Sequence, residues 1–188
     1  MCLLFLAWCL VPGAKKLLLL FDHSKTSEVI LSEILGGEAS QNIMEVTLEM
    51  RLVSNYADWQ NIVKNARTAG YNAIITGLYH ALKDTDGSTV NDNVAISWTS
   101  TNTPIPVFGL WDFSVGSDKA IGGLVISPTA QGKAAGEIVK KILKDKIAPS
   151  EIIPVTPTSG EYLFSKAQLK RFNLSLPADI AKQAKYTD

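Results

Sequence analysis

The chain has 188 residues, 46% of them hydrophobic and 19% charged, which excludes a disordered or low-complexity segment. That length supplies a core for one large domain or two small lobes. Eighteen Lys and Arg balance eighteen Asp and Glu, so the net charge is zero and the broad positive field of a nucleic-acid binder is absent.

Met1 to Ala14 is uncharged and apolar. It is too short to span a bilayer, which needs about 20 residues, and it lacks the basic start of an export signal. Residues 1–13 are therefore expected to form a buried apolar helix, with an atypical leader as the alternative. Lys16 to Phe21 (KLLLLF) reads as a buried parallel strand whose exit is Asp22-His23-Ser24. Thr26 or Ser27 is the expected cap of a helix that Gly36-Gly37 ends. Val46, Leu48, Met50 and Leu52 alternate with polar residues as a strand does. Asp58 to Ala69 places Trp59, Ile62, Val63 and Ala66 on one helical stripe. Asn72 to Thr76 is the next strand, breaking at Gly77.

Residues 78–92 read as a long polar loop and 93–100 as a short helix. Strands are expected at Ile105–Gly109 and Gly123–Ser127, with an aromatic-bearing loop, Leu110 to Asp118, between them. Ala130 to Lys144 is a helix with Ile138, Val139, Ile142 and Leu143 on its apolar face, and its lysines form a solvated face. Pro149, Pro154 and Pro157 mark an extended crossover. Tyr162–Phe164 is a last strand, followed by a Ser165-capped helix to Phe172. Strands alternating with helices predict an α/β domain with a parallel sheet.

The usual catalytic and cofactor signatures are missing. There is no P-loop, no GxGxxG and no GxSxG. Asp84-Thr85-Asp86-Gly87 opens like a calcium loop but lacks its acidic spacing and closing Glu, so it reads as a turn. Cys2 and Cys9 with His23 and His80 offer no metal-ligand spacing, and neither metal nor cofactor is expected. Ser24, His23 or His80, and Asp112 make a scattered nucleophile–base set, the basis of an alternative reading as a small α/β hydrolase or transferase. Asp22 with Asp112 is no stronger as an acid–base pair. A receiver-like domain needs an acidic cluster at its first strand, where only Asp22 stands.

In open sheets ligands bind at the carboxyl ends of the strands. The candidate ligand-binding residues are therefore His23, Ser24, Gly77, Tyr79, His80, Trp111 and Asp112. Trp111-Asp112 suits a cleft that stacks on a small solute and anchors its charged end. Phe113 reads equally as core or cleft.

The segments AKKLLLLFDHS (14–24), NAIITG (72–77) and IPVFGLWDFSVGSDKAIGGLVISPTAQGKAAGEIVKKILKDK (105–146) resemble the ABC-transporter substrate-binding family. The ending YLFSKAQLKRFNLSLP is similar to that family's close, and the likeness runs over about residues 11–178. It implies an α/β, parallel-sheet, periplasmic-binding-protein-like (type I) fold with solute held between two lobes. By position, 14–109 resembles the second lobe, 110–148 the segment returning to the first, and 149–188 the crossover and terminal strand–helix. Most of the first lobe has no counterpart, so the chain is expected to be a fragment. The resemblance further implies no catalysis and a small organic solute, an amino acid or another small molecule. Its partners would be ABC importer membrane subunits or a signalling domain, without nucleic acid, in a periplasmic or extracytoplasmic space. Without a first lobe to pack on, the 130–144 helix is expected to drive self-association or to dock on the chain's own sheet, with weak solute binding.

Overall fold

The computed structural model describes residues 10–43, 45–153 and 160–188. The expected N-terminal helix, up to Cys9, lies outside these, as do Pro154 and Pro157 of the crossover. Five strands form the main sheet: β1 (Lys16–Asp22), β2 (Ser40–Ile43), β3 (Val46–Val53), β4 (Ala73–Thr76) and β5 (Val107–Gly109). Their spatial order is β2-β3-β1-β4-β5, parallel except at β2.

β1 lies at the centre because both of its faces are apolar. Leu17, Leu19 and Phe21 enter one core together with Met50, Ile75 and Phe108. Leu18 and Leu20 point the other way, into a second core with Trp59, Val63 and Ile74. This is the period-two alternation of a strand buried on both sides. Each such side chain, fully buried, contributes about 1.5–3 kcal/mol relative to exposure.

Helices α1 (Lys25–Leu35), α2 (Tyr56–Asn65) and α3 (Asp92–Asn102) follow the strands. Leu35 of α1 joins the first core, whereas Trp59 and Val63 of α2 and Ile96 of α3 fill the second. The indole N–H of Trp59 donates to Thr99 Oγ1 at 2.8 Å, fastening α2 to α3 inside the protein.

Several sequence expectations change here. Ser24, not Thr26 or Ser27, caps α1, its hydroxyl accepting from the Ser27 N–H. Asn55 caps α2, which begins at Tyr56 and stops at Asn65, four residues before Ala69. β2 has no counterpart in the apolar pattern, since Ser-Gln-Asn-Ile is exposed throughout and is held by antiparallel pairing with β3. The segment 78–91 is the expected loop, exposed over residues 83–89, but its Tyr79, Leu82 and Val90 are buried, and Lys83 bridges to Asn55 and Thr89.

The parallel pattern also ends after β5. β6 (Gly122–Val125) pairs antiparallel with β7 (Glu161–Phe164), which pairs with β8 (Lys185–Tyr186) in a separate three-stranded sheet. Gly122 makes the β6–β7 contact possible. It has φ +109°, and a Cβ there would lie 2.0 Å from Leu163 O. Between the two strands runs α4 (Pro128–Leu143). None of its residues is buried, and Val139 and Leu143 are 51% and 65% exposed. The expected docking of this helix on the chain's own sheet is therefore not what the structure shows. Two short helices, α5 (Lys166–Arg171) and α6 (Ala178–Ala181), close the chain, and Leu169 and Ile180 enter the first core.

Candidate functional site

The carboxyl ends of β1, β4 and β5 meet along one edge of the sheet. At the first of these, Asp22 is buried and fully engaged. Its carboxylate accepts from Ser24 N (3.2 Å), Ser27 Oγ (2.9 Å) and Ala81 N (2.9 Å). Burial alone would raise its pKa, but the bonds from Ser24, Ala81 and Ser27 together outweigh it and hold the carboxyl below its ordinary value. Asp22 is thus a latch from β1 to the segment after β4, not an acid or a base.

Ser24 is committed as well. Its hydroxyl caps α1 and lies 3.0 Å from Ser27 Oγ. His23 is exposed, with Nε2 3.5 Å from Glu28 Oε1. His80 Nε2 stands 3.4 Å from Asp92 Oδ2, and Asp112 Oδ1 accepts from Phe113 N at 2.7 Å. The nucleophile–base set of the hydrolase alternative is therefore not assembled among these residues. No three His, Cys, Asp or Glu side chains among the described residues converge as metal ligands would.

What the fold does assemble is a run of rings reaching from the core to the surface. Trp59 meets Tyr79 edge-on at 6.3 Å, and Tyr79 stacks on His80 at 5.0 Å. His80 meets Phe113 edge-on at 5.5 Å, and Phe113 lies parallel to Trp111 at 5.9 Å. Tyr79 has almost no exposed surface, so it backs His80 rather than facing the cleft. Burial, and after it the Asp92 charge, raises the Tyr79 pKa, which keeps the phenol neutral. Phe113 is 41% exposed, the one exposed phenylalanine among the described residues.

The turn after β5 fixes the outer rings. Asp112–Ser114 forms one turn of 3₁₀ helix, and Ser114 Oγ donates to Trp111 O at 2.6 Å. Trp111 also forms a backbone bridge to Ile126, and Lys119 Nζ donates to Phe113 O at 3.2 Å. Gly77, buried at the end of β4, lets the chain cross the Phe21 ring, where a Cβ would fall 1.9 Å from the ring carbons.

Of the residues expected at the site, His80 and Trp111 are brought together through Phe113, with Tyr79 directly behind. Gly77 shapes the backbone leading to them. His23 and Ser24 sit at the β1 exit, and Asp22 beside them is bonded to Leu78 and Ala81 on either side of this group. Asp92 was not anticipated. Its contact with His80 spans a long loop, and no local pattern marks it.

One open cavity, of about 410 Å³, lies at the carboxyl end of β3, lined by Val53, Ser54, Asn55 and Asp58. Another, of about 550 Å³, lies beside the start of α4 and β7. Its lining includes Lys133 and the ion pair Glu161–Lys185.

A parallel α/β sheet with aromatic rings gathered at the carboxyl ends of its strands offers a ligand site where open sheets of this kind carry one. The chain belongs to the family described as ABC transporter substrate binding protein, whose profile matches residues 5–187. No curated protein sequence matches it. Among solved structures, a conserved domain protein from Vibrio cholerae superposes with a TM-score of 0.67 at 17% identity, over 98% of this chain. An ABC domain from Streptococcus pneumoniae in complex with L-Trp gives 0.65 at 18% identity, over 97% of this chain. A ligand-free, open substrate-binding protein with adhesive properties from Clostridium difficile gives 0.62 at 18%, over 99%. At such identities the likeness is one of fold. The chain spans 58% of the length of each of the three.

Proposed function

We propose that this chain contributes a solute-binding surface to an extracytoplasmic substrate-binding protein that serves an ABC importer. The solute is small, organic and amino-acid-like, and it lies against the ends of β1, β4 and β5. The observation that carries this reading is the exposed Phe113 ring, flanked by His80 and Trp111 and fixed by the turn that bears it. An aromatic wall held rigid by its backing is a low-entropy platform for a small flat solute. Family membership supports the solute-binding role. Support for an amino-acid-like ligand comes from the Streptococcus relative, whose structure holds L-Trp. Placement outside the cytoplasm follows the family's transport role, and no helix among the described residues is long and apolar enough to cross a membrane.

The test is a calorimetric and saturation-transfer screen of free amino acids and related solutes. A hit is expected to lose about tenfold in affinity, roughly 1.4 kcal/mol, on Phe113→Ala or His80→Ala. Melting temperatures should stay close to the parent. A solute whose binding ignores both changes would place the site elsewhere.

A further inference from the structure

His80 links the buried Tyr79 ring to the exposed Phe113 ring, and two acidic side chains fix it in different ways. Asp22 holds its backbone, through Leu78 O on one side and Ala81 N on the other. That leaves the imidazole itself, which can still turn about its side-chain bonds. It stacks on Tyr79 at 5.0 Å and meets Phe113 edge-on at 5.5 Å. A third contact comes from Asp92, whose Oδ2 stands 3.4 Å from Nε2. Asp92 opens α3, so its own position is that of the helix. Its charge also reaches the Tyr79 phenol, so the carboxylate faces both members of the stack.

We propose that Asp92 is a positioning residue of the solute site: it holds the His80 ring flat on Tyr79 and edge-on to Phe113, so that the aromatic wall is formed before the solute arrives. This rests on the solute-binding reading above and adds to it a residue that acts through His80. A half-exposed ion pair adds little to the stability of a fold. Its effect on a binding surface is different, because a side chain ordered in advance loses less freedom when the solute lands on it. His23 is the contrast. It too has an acidic neighbour, Glu28 Oε1 at 3.5 Å, but that glutamate is shared with Lys25, and His23 meets no other ring among the described residues.

Nuclear magnetic resonance reads the orientation directly, because the chain has two histidines and His80→Ala tells them apart. In the parent, the ring protons of His80 should show cross-relaxation with those of Phe113. Asp92→Ala should weaken these peaks. Asp92→Asn, whose amide oxygen still accepts from an imidazole N–H, should keep them. Glu28→Ala, beside His23, should leave them unchanged, and melting temperatures should stay close to the parent throughout. Calorimetry with L-tryptophan, or with the tightest hit among the free amino acids, supplies the second readout. Asp92→Ala should weaken binding about threefold to tenfold, the range for releasing one ordered side chain, and Asp92→Asn should restore most of the loss. The Asp92→Ala, His80→Ala double variant should bind no more weakly than His80→Ala alone, as expected of residues that act together.

The inference falls if the His80–Phe113 peaks survive Asp92→Ala, because the ring is then held without the carboxylate. It falls equally if the two losses of affinity add, because Asp92 then acts on the solute directly or through the fold. In either case a loss of binding on Phe113→Ala keeps the solute site where it is proposed. Binding that ignores Phe113→Ala and His80→Ala alike removes the solute reading and the inference together. So does an absence of saturable binding across the whole solute screen.

Discussion

The carboxylate of Asp22, at the end of the central strand, accepts the backbone N–H of Ala81 at 2.9 Å, although 59 residues separate them. With the Asp22 N–H donating to Leu78 O at 2.6 Å, this bond ties the chain on both sides of His80 to the β1 exit, and so helps set where the aromatic group stands. The same carboxylate holds Ser24 N and Ser27 Oγ, and therefore the start of α1.

Asp22→Ala leaves those donors without an acceptor in a buried setting, and about 2–3 kcal/mol of stability should be lost at neutral pH. The loss should depend on pH. Asp22 titrates lower in the folded chain than its ordinary 3.8, so its contribution is complete above that unfolded value. It disappears as pH falls through the lower folded value. Urea unfolding of parent and Asp22→Asn at pH 7 and pH 3 should show the gap between them narrowing in acid. A gap of constant size would mean that the carboxylate charge contributes nothing.

Gly77 supplies a second test of the same region. A methyl group there would occupy the space of the Phe21 ring, which is itself buried in the first core. Gly77→Ala should cost about 1–3 kcal/mol, the range for overpacking. Phe21→Leu should recover part of that loss in the double variant, because the two residues are in contact and their effects do not add. Strict additivity in thermal melts would show that the clash is relieved elsewhere, by backbone movement.

Much of this arrangement was legible in the sequence, and the reason is physical. KLLLLF can be satisfied only by burial on both faces, and the stripe of Trp59, Val63 and Ala66 only by packing one face of a helix. What escaped was held by backbone or by distance. β2 is exposed Ser-Gln-Asn-Ile whose sole reason to be a strand is its hydrogen bonding to β3. The antiparallel turn from β6 to β7 depends on partners far apart in the chain. Strand-end position singled out Tyr79, His80 and Trp111, but it could not show that Tyr79 lies in the core beside Trp59 with Leu82 and Val90. Phe113 was ambiguous by sequence, since an exposed and a buried phenylalanine look alike until its neighbours are placed.

α4 carries an amphipathic stripe in the sequence, and the structure buries none of its residues. Val139 and Leu143 are more than half exposed, and Ile138 and Ile142 only partly covered. If that face contributes no burial within this chain, replacing Val139 and Leu143 together by Lys should change stability by no more than about 0.5 kcal/mol, as for ordinary surface positions. Ile75→Ala is the contrast. Ile75 is 1% exposed in the first core, and its truncation should cost about 2–5 kcal/mol through lost transfer energy and a cavity. Chemical denaturation of the two variants beside the parent decides the matter. A loss of 2 kcal/mol or more from the lysine pair would mean that α4 packs on the rest of the chain in solution, and that its apolar stripe belongs to this chain's own core.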